Sequence, residues 1–383
     1  MKNKKNRTLV LLLTILTSLF VLHFSQHRFK WVELQPLHGY YAESKKTKFT
    51  WERWFSGEYQ EKRDDYLTNH FGFRNFLVRV NNQLRFSLFD KIKPKHVLMG
   101  KDFYLYESHY IGSWYGDDFV GQEVIESKSY KLKLIQDTLN QMGKKIIAVL
   151  APGKGSFYPE YIPDKYHKER GTANIDVYRQ YIEKWNINCI DFDRYFIENK
   201  YTSPYPLFPQ LGIHWSYYGM CIAADSILRY IEKMNNIEMP RFYWENIKLS
   251  QPLFEDDDIF RAMNLLFQYR TFDMAYPELR LELDADSTKS KPSLMVVADS
   301  FYWGIYNMGW SNLFTDDHFW YYNKTIYPED TYMHPYTTED IDMQEEIMKH
   351  DIIIILCTHG NMHSFGWGFI ENCYDALYSP DEN

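Results

Sequence analysis

Lys291–Gly304 reads KPSLMVVADSFYWG. Leu294–Ala298 is a short apolar run without polar alternation, the pattern of a parallel strand buried on both faces. It stops at Asp299-Ser300, and small and aromatic residues follow as far as Gly304. Open α/β sheets hold their ligands outside the carboxyl ends of their strands. A serine on such a strand-to-helix turn is a candidate nucleophile. The commoner role of a serine there is to cap the next helix.

The neighbouring segments build the same kind of sheet. Ser127–Met142 carries Leu132, Ile135, Leu139 and Met142 at helical spacing, and Gly143 stands where a helix C-cap is expected. Lys145–Leu150 is an apolar run closed by Ala-Pro-Gly. Asp176–Trp185 then reads as a helix, Asn188–Phe192 as a strand and Tyr217–Met234 as a helix. Asp351–Leu356, DIIIIL, is the most apolar strand. Helices alternating with short apolar strands predict an α/β fold, a mostly parallel sheet covered on both faces. Upstream, Asp64–Phe89 reads as helical with Phe76, Val80 and Leu84 as a buried stripe, and Val97–Tyr106 as a hairpin. Residues 251–290 are charged and read as a loop-like insertion with the acidic cluster Glu255–Asp258.

The amino terminus has a different character. Lys2, Lys4, Lys5 and Arg7 make residues 1–7 a basic tail. Thr8–Phe24 is apolar over about the length that crosses a bilayer. The basic flank assigns the tail to the cytoplasm and the rest of the chain to the outside. A cleaved signal peptide is the rival, but no A-x-A site follows the run. The expected layout is an uncleaved single-pass anchor at 8–24 in the cytoplasmic membrane, a stalk at 25–60, and an extracytoplasmic domain at 61–383.

Composition excludes some partners. A net charge of −8, with basic runs only at the amino terminus, argues against nucleic acid. Aromatics make up 18% of the chain, which suits either sugar stacking or an aromatic-rich core. Cys189, Cys221, Cys357 and Cys373 show no metal-ligand spacing and read as buried free thiols. No cofactor and no metal is expected.

Polar residues gather at strand ends and helix starts: Lys154–Ser156, His214, Asp299-Ser300 and Thr358–Asn361. Acyl transfer through serine requires a base for the Oγ proton and donors for the oxyanion. His214 fits the base. The Ser300 backbone N–H, with Asn361 or a loop glycine, fits the donors.

Four motifs, in order, resemble the SGNH-like domain of periplasmic alginate O-acetyltransferases and their membrane-anchored relatives. DYLTNHFGFRNFLVRVNNQL resembles that family's leading helix, and VLMGKDFYLYE its Gly-Lys-Asp hairpin. GIHWSYYG resembles its Asp-x-His-Trp element, and VVADSF its Gly-Asp-Ser-Phe turn. The likeness runs over roughly residues 50–375, with His214 before Ser300 as in this group. It implies a three-layer SGNH hydrolase-like sandwich and a Ser300 acyl-enzyme. It further implies a polysaccharide acceptor and an integral-membrane O-acyltransferase partner that delivers the acetyl group. APGKGSFYPEYIP resembles the family's Pro-x-Lys strand end, which sets Lys154 at the rim of the site, toward the sugar.

The chain departs from the family pattern at two positions. Ala298 replaces a glycine of the turn, and Gly212 replaces the aspartate that would orient the histidine. A working imidazole needs its tautomer held. The substitutes are Asp299 first, then Asp191 or Asp193, or a backbone carbonyl. The alternatives to transfer are an esterase of the same fold and an inactive carbohydrate-binding or assembly protein.

Overall fold

The computed structural model describes residues 2–39, 44–282, 289–331 and 334–378. Parts of the expected stalk (40–43) and insertion (283–288) lie outside the described residues. The chain divides into two compact units, Met1–Lys95 with Phe260–Tyr269, and His96–Ile259 with Arg270–Asn383.

The first unit holds the helices Lys2–Phe29, Trp51–Ser56, Glu58–His70 and Arg74–Phe89. Within the first of them, Asn6–Phe29 contains an 18-residue window of mean hydropathy 2.1 with no buried residue, so it is long and apolar enough to cross a membrane. The segment read as one helix over Asp64–Phe89 is two, broken at Phe71–Phe73. A side chain on Gly72 would lie 2.1 Å from the His23 carbonyl oxygen, so the break permits a close approach that only glycine allows. The expected buried stripe is not there. Phe76 is 45% and Leu84 53% exposed, while Asn82 is buried and donates to the Met263 carbonyl at 2.9 Å. Helical spacing identifies the face a partner would cover, but it does not supply the partner.

Among its described residues the second unit contains ten strands: β1 Val97–Met99, β2 Leu105–Glu107, β3 Lys145–Ala151, β4 Cys189–Asp191, β5 Phe242–Ser250, β6 Met274–Leu281, β7 Leu294–Ala298, β8 Asp317–Tyr321, β9 Thr325–Tyr327 and β10 Ile352–Thr358. The main sheet has the order β4-β3-β10-β7-β8-β9 and is parallel except for β9. Every residue of β7 and β10 is buried, which accounts for their unbroken apolar character. Alternate residues (Ile146, Ala148, Leu150, Met295, Val297, Ile353, Ile355) form one core with Leu132, Ile135 and Leu139 of helix Gln122–Gln141, Tyr178 of Asn174–Lys184 and Phe369 of Phe369–Tyr378. Their neighbours Ile147, Val149, Val296 and Ile354 point to the other face and are also buried. The sheet is therefore covered on both sides, the layering of an SGNH hydrolase-like α/β fold.

Gly143 ends its helix with φ +77 as expected, and β1 pairs with β2 in the expected hairpin. The stretch read as a loop-like insertion is structured. β5 and β6 form an antiparallel ribbon, and between them lie a 3₁₀ turn, Phe254–Asp257, and a short helix, Asp258–Ala262. All four cysteines are free.

Candidate active site

Parallel pairing brings the ends of β3, β7 and β10 to one edge. Thr358 pairs with Ala151, and Leu356 with Ala298, so Asp299 and Ser300 emerge beside the end of β10. Ser300 then leads directly into the short helix Tyr302–Asn307.

His214 reaches Ser300 from a separate element. It precedes helix Tyr217–Asn235, whose N-cap Ser216 accepts from the Gly219 N–H and donates to the Pro206 carbonyl. With the helix start fixed this way, His214 Nε2 lies 2.9 Å from Ser300 Oγ. Its Nδ1 lies 2.6 Å from Asp258 Oδ2. Serine, imidazole and carboxylate are thus in line, with the carboxylate supplied by the acidic segment between β5 and β6.

Several contacts hold that segment in place. Asp258 Oδ1 accepts from the backbone N–H groups of Ile213 (3.0 Å) and Ile259 (2.6 Å). Asp256 is buried and accepts from the Tyr276 hydroxyl of β6 at 2.7 Å and from the Tyr217 N–H at 3.2 Å. Gly212 has a steric role here. A Cβ at that position would lie 2.3 Å from the Glu255 carbonyl oxygen. The aspartate expected two residues before the histidine is absent because the segment carrying Asp258 occupies its space.

Electrostatics follow from this packing. Burial alone would push the His214 imidazole down, but the Asp258 carboxylate outweighs it and holds the group above its ordinary value. Burial raises Asp256 to about 7. Burial also pulls Lys154 down to about 7, against the carboxylates of Asp258 and Asp256.

The other expected site residues have different positions from those anticipated. Asp299 does not orient His214. Its Oδ1 accepts from the Phe301 N–H, and its Oδ2 from the Thr358 N–H and Oγ1 and from Asn361 Nδ2. It is fully buried and ties the nucleophile turn to β10, because adjacent residues leaving a strand face opposite sides. Asn361 Nδ2 lies 2.9 Å from Asp299 Oδ2 and 3.1 Å from Thr358 Oγ1, two acceptors only 2.8 Å apart on one side of its amide, so the contacts fasten it to the nucleophile turn. Lys154 is not at the rim. It is fully buried, and its ammonium donates to the Gln210 (2.8 Å) and Gly212 (2.5 Å) carbonyls, which staples the loop bearing His214. Asp191 and Asp193 are both bound by Arg179. Phe365 and Phe369 are buried in the core.

Two residues at the site escaped the sequence reading. Asp258 lies 44 residues after His214, on an element whose ribbon pairing is visible only in three dimensions. The usable signal was Gly212 itself, since a missing acid calls for an acid elsewhere. The second is Tyr322, held at φ +53 with its N–H on the Ala298 carbonyl at 2.9 Å. That bond fastens it to the end of the strand that leads into Ser300. His214, Trp215, Tyr217, Met220, Glu255 and Ser300 line a small crevice beside the nucleophile.

Residues 97–247 match the SGNH hydrolase-like domain, acetyltransferase AlgX. This is the family expected from the four sequence motifs. The SGNH-like match includes Lys154, Gly212 and His214, while Asp258 and Ser300 follow it. Solved structures of similar fold include the O-acetyltransferase domain of Pseudomonas putida AlgJ, at 14% identity and a TM-score of 0.46 over 73% of this chain and 99% of that one. Pseudomonas aeruginosa AlgX is 15% identical, with a TM-score of 0.44 over 72% and 67%. Bacillus cereus PatB1 is 13% identical, with a TM-score of 0.46 over 70% and 99%. No curated protein sequence matches the chain.

Proposed function

We propose that this chain is an extracytoplasmic SGNH-type O-acetyltransferase that modifies a hydroxyl of an exported or cell-surface polysaccharide. The observation that carries this reading is the Ser300–His214–Asp258 relay, with 2.9 Å and 2.6 Å between successive partners. His214 Nε2 takes the Oγ proton as Ser300 attacks the acetyl carbonyl. Asp258 stabilises the imidazolium and keeps Nδ1 protonated. The Ser300 N–H and the Tyr322 hydroxyl are the donors for the oxyanion, beside the expected Asn361. His214 then protonates the leaving group. In the second half a sugar hydroxyl gives its proton to His214 and attacks the acyl carbon, freeing Ser300.

The relay removes the main reason for an inactive reading, which was the missing acid at Gly212. The acetyltransferase description of the matched family supports acetyl as the group moved. Tyr217 lines the pocket and stacks on the exposed Phe254, offering flat apolar faces to a pyranose ring. The helix over Asn6–Phe29 and the basic residues before it support a single-pass anchor with the domain outside. The resemblance to the acetyltransferase family implies that an integral-membrane acyltransferase delivers the acetyl group.

The test is product partition. The full chain in detergent is given an activated acetyl ester and neutral or anionic oligosaccharides, and acetylated sugar is counted against free acetate. Sugar acetylation that rises with acceptor concentration supports transfer. Release of acetate alone, whatever the acceptor, makes the protein an esterase.

A further inference from the structure

A second group of chemically unusual side chains lies at the opposite edge of the sheet. His318 is the second residue of β8, in register with Met295 near the start of β7, whereas Ser300 follows the end of that strand. At strand rise the two edges are roughly 16 Å apart. Glu346 lies on helix Met343–Lys349, and His350 ends that helix just before β10.

His318, Glu346 and His350 each present one ligand atom within 4.8 Å of the others. His318 Nδ1 is 3.4 Å from Glu346 Oε2, and His350 Nε2 is 3.4 Å from the same oxygen. These are not hydrogen bonds. His350 is fully buried, and neither of its ring nitrogens has a hydrogen-bond partner; His318 Nδ1 has none either. A buried imidazole with both nitrogens unsatisfied is costly unless something else fills the coordination.

Two of the three separations, both 3.4 Å, fit a metal ion. Ligands about 2.1 Å from a tetrahedral zinc ion stand about 3.4 Å from one another. Two imidazoles and a carboxylate are a donor set suited to zinc rather than to magnesium or calcium, which take oxygen ligands. The surroundings also match a metal's outer shell. His318 Nε2 lies 3.1 Å from Glu329 Oε1, a carboxylate placed to orient the ring, and Lys349 engages Glu346 Oε1 at 2.7 Å, leaving Oε2 to face the histidines.

We propose that His318 Nδ1, Glu346 Oε2 and His350 Nε2 bind a zinc-type divalent cation at the amino edge of the sheet, with solvent as the fourth ligand. The ion ties helix Met343–Lys349 and the start of β10 to β8, a structural clamp remote from Ser300. The ligands come from two segments and their spacing along the chain resembles no compact motif, which is why no metal site was legible before the fold was known.

The test uses the full chain, purified with a tag free of histidine, stripped with chelator and titrated with zinc or magnesium. Metal content after desalting is read by mass spectrometry, and unfolding temperature is read alongside. The proposal expects one zinc per chain, a zinc-dependent rise in melting temperature, and no such effect of magnesium. Glu346→Gln and His318→Asn should each weaken zinc binding by more than about 100-fold, and Glu329→Gln by about 10–100-fold. Absence of saturable zinc uptake by folded wild type overturns it, as does undiminished uptake by the folded ligand variants. If the variants do not fold, cobalt-loaded wild type decides. A four- or five-coordinate visible spectrum supports the site, and a hexa-aqua spectrum overturns it.

Discussion

Asp258→Asn isolates the element that the sequence did not reveal. Asp258 Oδ1 accepts two backbone N–H groups, from Ile213 and Ile259. An asparagine must therefore keep its carbonyl oxygen there and turn its amide nitrogen toward His214 Nδ1. That nitrogen is then forced to accept, the ring proton moves to Nε2, and Nε2 donates to Ser300 Oγ instead of accepting from it. The base is lost while volume and packing are kept. Holding the wrong tautomer in a serine triad costs about 10⁴ in rate, or about 5.5 kcal/mol of barrier. The assay is the burst of leaving group from an activated acetyl ester, with circular dichroism to verify folding. A folded Asp258→Asn protein that acylates within about tenfold of wild type would refute the relay.

Other consequences follow from the same geometry. The acid limb of kcat/KM should have its midpoint above the ordinary imidazole value of about 6.5, because Asp258 holds His214 up and the base works only when neutral. For the same reason the His214–Asp258 pair contributes stability below that value and loses it as pH rises through the folded pKa, which pH-dependent chemical denaturation can follow. Gly212→Ala drives a Cβ into the Glu255 carbonyl and displaces Asp258; a misplacement of this kind is expected to lower the acylation rate about 100-fold, and Gly212→Asp should not rescue Asp258→Asn. Wild-type rates in Gly212→Ala would remove the steric argument. Tyr322→Phe should lower kcat by about 10²–10³ with KM little changed, as loss of one oxyanion donor does, and an unchanged kcat would return the donor role to the backbone and Asn361.

What could be read from the sequence was what local pattern encodes. β7 was legible to the residue because a strand buried on both faces has no choice but an unbroken apolar run. The pairing of Ser300 with His214 was legible through the resemblance of VVADSF and GIHWSYYG to the family's motifs, since each residue alone more often caps a helix. Lys154 was misjudged for a physical reason. A lysine on a glycine loop is normally solvated, and nothing local signals that two carbonyls from the His214 loop converge on it in the interior. Asp258 was missed because it sits among the charged residues of 251–290, which read as loop, whereas it opens the short helix Asp258–Ala262 between β5 and β6. The stripe at Phe76, Val80 and Leu84 failed for the converse reason, since its periodicity is real and its covering layer is not present among the described residues.

The most direct test of the central claim is to trap the acyl-enzyme. The full chain is incubated briefly with an activated acetyl ester, quenched in acid and digested, and the peptides are mapped by mass. The relay predicts one acetyl group on Ser300, absent from Ser300→Ala and strongly reduced in His214→Ala. Acetyl turnover with no adduct on Ser300, or an adduct that persists in Ser300→Ala, would contradict it.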